Sequence, residues 1–160
     1  MAEALSQKLL ARVDGAKALY YRLILLVAPS GSGKTEALRE VAANTGARFV
    51  NLNLELSLRM LDLTERERAL RLPDLLNEVV GKDEPLVLLD NIEILFDAAL
   101  KQDPLRLLQG VSRNRTLVAA WNGTLEKGYL TYAAPEHPEH RRYSRDDRGD
   151  VVVVCPDVVS

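Results

Sequence analysis

The sequence predicts a three-layer α/β fold with a mainly parallel, five-stranded sheet. Short apolar runs alternate with longer segments whose apolar residues recur at helical spacing, which is typical of strands joined by crossover helices. The run Leu-Val-Leu-Leu at 86–89 is uninterrupted, as expected for a central strand buried on both faces. A glycine-rich turn links the apolar run at 23–27 to a helix-forming segment, so the chain begins its core with a strand–turn–helix unit.

The first half of the chain is predicted to hold two helices and two strands. Residues 2–20 form an amphipathic helix, because their leucines and valines recur at helical spacing. The first strand covers 23–27, and the helix over 36–43 after it ends at Asn-Thr-Gly, since glycine closes many helices. Alternating apolar and polar residues predict the second strand over 49–54.

The second half continues the alternation. Residues 57–80 are helical, with a break before Pro73 because proline cannot continue the helical hydrogen bonds. Residues 92–109 are also helical, interrupted near Pro104. The remaining core strands lie at 86–89, 116–121 and 151–155, with an extra strand at 130–132.

Length and composition fit one soluble domain over residues 1–160, with an N-terminal helix within 1–20 and a loop or hairpin excursion at 129–150. The net charge of −2 does not favour a globally basic nucleic-acid binder. A single cysteine, Cys155, cannot form an internal disulfide and suits a reducing compartment. No apolar stretch approaches the ~20 residues that span a bilayer. We expect a cytoplasmic protein with no membrane partner.

Residues 28–35, Ala-Pro-Ser-Gly-Ser-Gly-Lys-Thr, match the phosphate-binding P-loop in all but the first position, where the strict pattern has glycine. Glycines bring backbone N–H groups close to phosphate oxygens, and the following helix N-terminus favours an anion. Lys34 would reach the β- and γ-phosphates, and the Thr35 hydroxyl would coordinate Mg²⁺. The motif therefore predicts a P-loop NTPase fold with ATP and Mg²⁺ as cofactors. The predicted cofactor-binding residues are Pro29, Ser30, Gly31, Ser32, Gly33, Lys34, Thr35 and Glu36.

Asp90 follows the strand at 86–89 directly. An aspartate at the carboxyl end of a buried strand downstream of a P-loop is the Walker B arrangement, which holds Mg²⁺. We therefore predict Thr35 and Asp90 as metal ligands. The alternative is that Asp90 only caps the next helix.

Together these features resemble the AAA+-like branch of P-loop ATPases, reduced to its core. That branch inserts a strand between the P-loop strand and the Walker B strand. Because the chain ends just after the fifth strand, we expect no C-terminal helical lid domain. The resemblance implies ATP use. Without a lid, few groups can enclose the base and ribose, so we expect nucleotide-promoted homo-oligomers in which a neighbouring subunit completes the site.

The resemblance also implies catalytic roles. ATPases of this kind usually carry glutamate after the Walker B aspartate, to orient the attacking water, but this chain has Asn91. An amide can position water but cannot accept its proton, so hydrolysis is expected to be slow or partner-dependent unless Glu93 or Glu55 serves instead. Lys34 is also a predicted catalytic residue, because it would contact the γ-phosphate.

Two further polar groups are catalytic candidates. Asn122 ends the fourth predicted strand, where the resemblance implies a residue beside the γ-phosphate; the alternative is an Asn-Gly turn without chemistry. Two arginine groups are candidates for acting on a neighbour's nucleotide: Arg113 and Arg115 before the fourth strand, and Arg141, Arg142 and Arg145 before the fifth. In ATPases of this kind such residues commonly come just before the last core strand, which favours the second group and, within it, Arg142. A solvated surface is the alternative for these arginines. DNA contact through them stays open, although the near-neutral charge of the segment does not favour it.

A narrower resemblance covers the whole chain. Its length, the P-loop at 28–35, Leu-Leu-Asp-Asn-Ile-Glu-Ile-Leu-Phe at 88–96 and Trp-Asn-Gly at 121–123 resemble the BrxF family, small P-loop proteins of type 3 BREX (bacteriophage exclusion) systems. This resemblance implies a role in antiviral defence, with other BREX proteins as partners.

Three functions follow as hypotheses. The first is an ATP-binding and ATP-hydrolysing subunit of a defence assembly. The second is a nucleotide-gated adaptor with little hydrolysis, which Asn91 motivates. The third is a small nucleoside or nucleotide kinase, with the arginine-rich segment as a lid over the phosphates.

Overall fold

A computed structural model describes residues 4–156. Within that range seven strands form one sheet, whose parallel core has the order β2–β3–β4–β1–β7. The strands are β1 (Leu23–Ala28), β2 (Arg48–Asn51), β3 (Leu86–Asp90), β4 (Thr116–Glu126), β5 (Tyr129–Tyr132), β6 (Arg141–Tyr143) and β7 (Val152–Val154). The five-stranded parallel core and the insertion of β4 between β1 and β3 are confirmed.

Helices cover both faces of this sheet, which gives the predicted three layers. They are α1 (Leu5–Ala16), α2 (Lys34–Thr45), α3 (Leu52–Met60), α4 (Glu65–Val80), α5 (Pro104–Val111) and α6 (Arg145–Arg148), with 3₁₀ turns at Ile92–Phe96 and Ala98–Leu100. A hydrophobic core lies on each face of the sheet. Successive side chains of β1 belong to one core and then the other, because side chains of a strand point alternately to opposite faces. Leu23, Leu25 and Val27 pack with the leucines of α3, α4 and α5. Ile24 and Leu26 pack with α1 and α2.

Several predicted boundaries are wrong. Helix α1 is shorter than 2–20, since residues 17–20 form a turn and residues 2 and 3 lie outside the described range. The second strand ends at Asn51 because its side chain accepts a hydrogen bond from the Leu54 N–H and starts α3. Residues 92–96 and 98–100 form 3₁₀ turns rather than an α-helix, and the interruption predicted near Pro104 lies at 101–103. Pro104 then begins α5, which suits a residue without an N–H. The helix at Gly46 ends as predicted, with glycine in the left-handed conformation.

Pro73 does not break the helical region. The break lies at 61–64 between α3 and α4, and Pro73 sits inside α4. Proline leaves the carbonyl four residues earlier without its helical donor. The side chain of Gln102 supplies one, since its Nε2 donates to the Ala69 oxygen at 2.9 Å.

Beyond the parallel core, β4 continues as an antiparallel arm with β5 and β6. The extra strand predicted at 130–132 is confirmed by β5. Strand β6 and helix α6 were not placed by the sequence analysis. Two of the three residues of β6 are arginines, so its sequence lacks the alternation of apolar and polar residues that predicts a strand, although Tyr143 is buried. After β7 the described residues contain no helical domain. None of the described helices combines the length and apolar character needed to cross a bilayer.

Candidate nucleotide-binding site

The carboxyl ends of the parallel strands meet at one edge of the sheet. The register pairs Ala28 of β1 with Asn122 of β4, and Asn51 of β2 with Asp90 of β3. Ligands bind outside this edge in open α/β sheets. A pocket of about 280 Å³ opens there, which we call the P-loop pocket. It is lined by Ser30, Gly31, Gly33, Lys34, Thr35, Glu36, Asp90, Asn91, Glu93, Ala120 and Asn122.

The loop at 28–35 has the backbone that phosphate binding needs. Gly31 and Gly33 have φ of 81° and 89°, in the left-handed region that favours glycine. Gly33 is also the N-cap of α2, so the free N–H groups of that helix face the pocket. Ala28 is the last residue of β1, in extended backbone, which explains why glycine is not required at the start of the motif.

Lys34 is the buried cation of the pocket, with 7% of its surface exposed. Its Nζ donates to the carbonyl oxygens of Ala28 at 2.8 Å and Pro29 at 2.7 Å. Burial lowers the pKa of Lys34, and the nearby carboxylates of Glu93 and Asp90 partly oppose that shift. The ammonium group is thus held by loop carbonyls and faces two acidic groups.

Of the other predicted loop residues, Pro29 and Ser32 do not line the pocket. The Ser32 hydroxyl donates to the Pro29 carbonyl at 2.6 Å, which braces the loop across its turn. Ser30 and Glu36 do line the pocket.

Thr35 and Asp90 meet across the pocket floor. The Thr35 hydroxyl donates to Asp90 Oδ2 at 2.6 Å, and Asp90 Oδ1 accepts from the Asn91 N–H at 3.0 Å. Asn91, not Asp90, precedes the 3₁₀ turn at 92–96 and makes no side-chain cap there. The Asp90 carboxylate therefore contacts the Thr35 hydroxyl and does not cap the following helical turn.

Glu93 lies in the same pocket and is bound to Asn122, whose Nδ2 donates to Glu93 Oε1. Asn122 and Gly123 lie within β4, so the alternative of an Asn-Gly turn is wrong. Asn91 also lines the pocket, in a left-handed conformation with φ of 53°. Glu55 does not line it and is paired with Arg59 at 2.8 Å. Of the acidic candidates, the structure thus brings Glu93 to the site.

Arg142 does not line the P-loop pocket of its own chain. Its guanidinium lies 3.7 Å from the centroid of the Tyr129 ring, on the antiparallel arm.

One residue of the pocket was not predicted from the sequence. Ala120 lines the pocket two residues before Asn122. The alternation of side chains along a strand is the signal that could have found it, since residues two apart share a face.

Known proteins resemble this chain in family and fold. The model of the ATPase family associated with various cellular activities (AAA) matches residues 24–125. The replication initiator DnaA bound to AMPPCP and single-stranded DNA superposes with a TM-score of 0.50 at 15% identity, covering 99% of this chain and 48% of that one. The structure of C. elegans PCH-2 gives a TM-score of 0.47 at 17% identity, covering 98% of this chain and 42% of that one. The chain thus spans less than half the length of either structure. No curated protein sequence matches it.

Proposed function

Because the chain belongs to the AAA family of ATPases, we propose that it binds ATP with Mg²⁺ in the P-loop pocket and hydrolyses it slowly. One observation carries the proposal. The pocket combines the P-loop lysine, the Thr35–Asp90 pair and the Glu93–Asn122 pair at one edge of the sheet.

The loop supplies binding. The N–H groups at the start of α2 and the ammonium of Lys34 attract phosphate oxygens. In the structure Lys34 Nζ donates to two loop carbonyls, and phosphate oxygens are stronger acceptors because they are charged. We therefore expect Lys34 to exchange a carbonyl for the β- and γ-phosphates when ATP binds.

The residues of the pocket fit Mg²⁺. Thr35 Oγ1 and Asp90 Oδ2 are adjacent hard oxygen donors, the type that Mg²⁺ prefers. Within residues 4–156 no group of three or more His, Cys, Asp or Glu side chains could hold a metal ion. A Mg²⁺ ion here would therefore take its remaining ligands from phosphates and water. When bound, it neutralises charge on the phosphates.

Glu93 is the proposed water-orienting base. A water oxygen forms a bond to the γ-phosphorus, the bond to the bridging oxygen breaks, and ADP and phosphate result. Glu93 accepts the proton of the water, which the amide of Asn91 cannot do. Asn122 holds the carboxylate of Glu93 in place.

Matched glutamate variants test this role. Glu93→Gln should keep ATP binding and lower turnover by at least about tenfold, whereas Glu55→Gln, at a glutamate outside the pocket, should leave both unchanged. Lys34→Ala should abolish tight ATP binding, measured by calorimetry, while Lys17→Ala, at an exposed lysine directly after α1, should not. Undiminished ATP binding by Lys34→Ala would contradict the site itself; wild-type turnover by Glu93→Gln would contradict the base.

The second candidate is a nucleotide-gated adaptor. It is supported by Asn91 at the usual glutamate position and by the hydrogen bond that engages Glu93. An adaptor binds ATP and hydrolyses almost none, so the turnover of the wild-type chain separates the two.

No observation favours the third hypothesis, a small kinase. Its lid would need free arginines over the phosphates. Arg141 donates to the Gln102 carbonyl and Arg148 to the Gly128 carbonyl. Arg142 and Arg145 do not line the P-loop pocket of their own chain. A screen of small hydroxyl and phosphate acceptors with labelled ATP would still detect such an activity.

Oligomerisation belongs to the same proposal. A second copy bound against the pocket would bring its Arg142 to the γ-phosphate, where a guanidinium stabilises the developing charge. Sedimentation with and without a non-hydrolysable ATP analogue should show larger species with the analogue. Turnover by Arg142→Ala should fall without loss of ATP binding. A monomer under all conditions would contradict this part.

The wider role rests on the resemblance to the BrxF family. We propose that the chain works in the cytoplasm with other BREX proteins in defence against phage. A host that carries the rest of such a system should lose protection when this chain carries Lys34→Ala and keep it with Lys17→Ala. Equal phage plating on both hosts would contradict the role.

A further inference from the structure

Four aromatic side chains form a cluster directly behind Glu93 and Asn122. The aromatic cluster consists of Phe96, Trp121, Tyr132 and Tyr143, all buried. The rings of Phe96 and Tyr132 are stacked, with centroids 3.6 Å apart and an angle of 12°. Trp121 meets Phe96 edge-on at 5.0 Å and Tyr132 at 6.2 Å. The cluster thus joins the turn after β3, the end of the parallel part of β4, and the antiparallel arm.

The arm is fixed to β4 beside Asn122. Trp121 Nε1 donates to the Thr131 carbonyl at 2.9 Å. A Cβ on Gly123 would lie 1.8 Å from that same carbonyl oxygen, so only glycine permits the approach. The two neighbours of Asn122 therefore both contact Thr131, the residue before Tyr132, so the arm contacts β4 on either side of Asn122.

Phe96 and Glu93 belong to the same 3₁₀ turn, Ile92–Phe96. Side chains at positions i and i+3 of a 3₁₀ helix lie one above the other. The ring of Phe96, 3% exposed, therefore anchors the side of the turn from which Glu93 enters the P-loop pocket. Tyr132 covers one face of that ring.

Electrostatics agree with this proximity. Burial raises the pKa of Tyr132 to about 12, and the negative charge of Glu93 adds to the shift. The Tyr132 hydroxyl thus lies near enough to the Glu93 carboxylate for that charge to disfavour its ionisation.

We propose that Tyr132 is a positioning residue for Glu93. Its ring holds Phe96, Phe96 holds the 3₁₀ turn, and the turn presents the Glu93 carboxylate to Asn122. The proposal rests on the role of Glu93 in the proposed function. On this proposal the antiparallel arm contributes to hydrolysis through Phe96 and Glu93, without itself contacting ATP.

Kinetics test this first. Tyr132→Leu removes the stacked ring and should lower kcat about ten- to a hundredfold, because small displacements of a catalytic group have such effects. KM for ATP should stay within about twofold, since phosphate binding does not use Glu93. Tyr132→Phe keeps the ring and should retain the wild-type kcat. Tyr143→Leu is the matched control: it removes another buried ring of the cluster, which packs on Trp121, and should lower thermal stability while kcat is kept.

A second measurement does not depend on turnover. The side-chain amide signals of Asn122 in a ¹⁵N NMR spectrum report its hydrogen bond to Glu93. Glu93→Gln should shift them, Tyr132→Leu should reproduce a shift, and Tyr132→Phe and Tyr143→Leu should not.

The outcomes separate the two proposals. A wild-type kcat and unshifted Asn122 signals in Tyr132→Leu overturn the positioning role and leave that of Glu93 intact. An equal loss of kcat in Tyr143→Leu also overturns it, since general loss of packing then explains the effect. Wild-type turnover in Glu93→Gln contradicts the role of Glu93 as the base. In that case the Asn122 amide signals of Tyr132→Leu are the only test of whether Tyr132 orients the Glu93 side chain.

Discussion

The side-chain amide of Asn122 donates a hydrogen bond to the carboxylate of Glu93, across the boundary between β4 and the turn that follows β3. The two residues are 29 positions apart in sequence. Their contact gives the P-loop pocket a carboxylate of defined orientation, although the position after Asp90 is an asparagine.

Removal of this hydrogen bond should slow hydrolysis. Asn122→Ala leaves Glu93 without its donor, so we expect kcat to fall about ten- to a hundredfold, with little change in KM for ATP. Phosphate release under saturating ATP measures the first quantity. Asn53→Ala, at an exposed asparagine in α3, is the control and should behave as wild type. An unchanged kcat in Asn122→Ala would show that this contact has no part in turnover.

Gly123 should be intolerant of a side chain. A Cβ there would lie 1.8 Å from the Thr131 oxygen of the arm and 2.9 Å from Trp121 Nε1 of the parallel core, and these two groups are hydrogen-bonded to each other beside Asn122. We expect Gly123→Ala to lower the free energy of unfolding by about 2 kcal/mol, measured by urea denaturation. Gly110→Ala is the matched control, because nothing lies within 4 Å of its Cβ position in α5. That change should stabilise the protein by about 0.5 kcal/mol.

The hydrogen bond from Gln102 to the Ala69 carbonyl should contribute most to the free energy of unfolding when Pro73 is present. Gln102→Ala removes the donor to the Ala69 carbonyl, and we expect a loss of about 1 kcal/mol in the free energy of unfolding. In a Pro73→Ala background the residue 73 amide can donate to that carbonyl itself, so the same change should cost less. A double-mutant cycle measures the difference. Equal costs in the two backgrounds would contradict the compensation.

Alkaline pH should destabilise the protein through the aromatic cluster. Burial first, then Glu93, raises the pKa of Tyr132 from 10.0 to about 12, and burial followed by the hydrogen bond to Asp103 raises the pKa of Tyr143. Both folded pKa values exceed the unfolded value, so the folded chain retains protons that the unfolded chain releases. The stabilisation is therefore complete below pH 10 and is lost as pH rises towards 12.

Urea unfolding at pH 9 and pH 11, followed by circular dichroism, measures this loss. Tyr132→Phe should reduce it, since the variant has no hydroxyl to titrate, whereas Tyr20→Phe at an exposed tyrosine should not. The same loss in Tyr132→Phe as in the wild type would assign the effect to other groups.

Local sequence determined much of this protein. The P-loop, the uninterrupted apolar strand that ends in Asp90, and the alternation of strands with helices predicted the parallel core, and the resemblance to the AAA+-like branch implied the order of its strands. These features depend on backbone conformation and on periodicity within a few residues, which the chain shows directly. The boundaries failed where a side chain from elsewhere compensated a local rule, as Gln102 does for Pro73.

Only the tertiary structure decided which groups share the pocket. Glu55 and Glu93 both follow core strands, yet Arg59 holds Glu55 outside while Asn122 binds Glu93 within. The packing of Tyr132 on Phe96 likewise joins β5 to the turn after β3, and no sequence pattern in either segment predicts that contact. Such contacts arise from strand register and from burial of large rings. No local pattern encodes them, because the partners lie far apart along the chain and meet only when the sheet has formed.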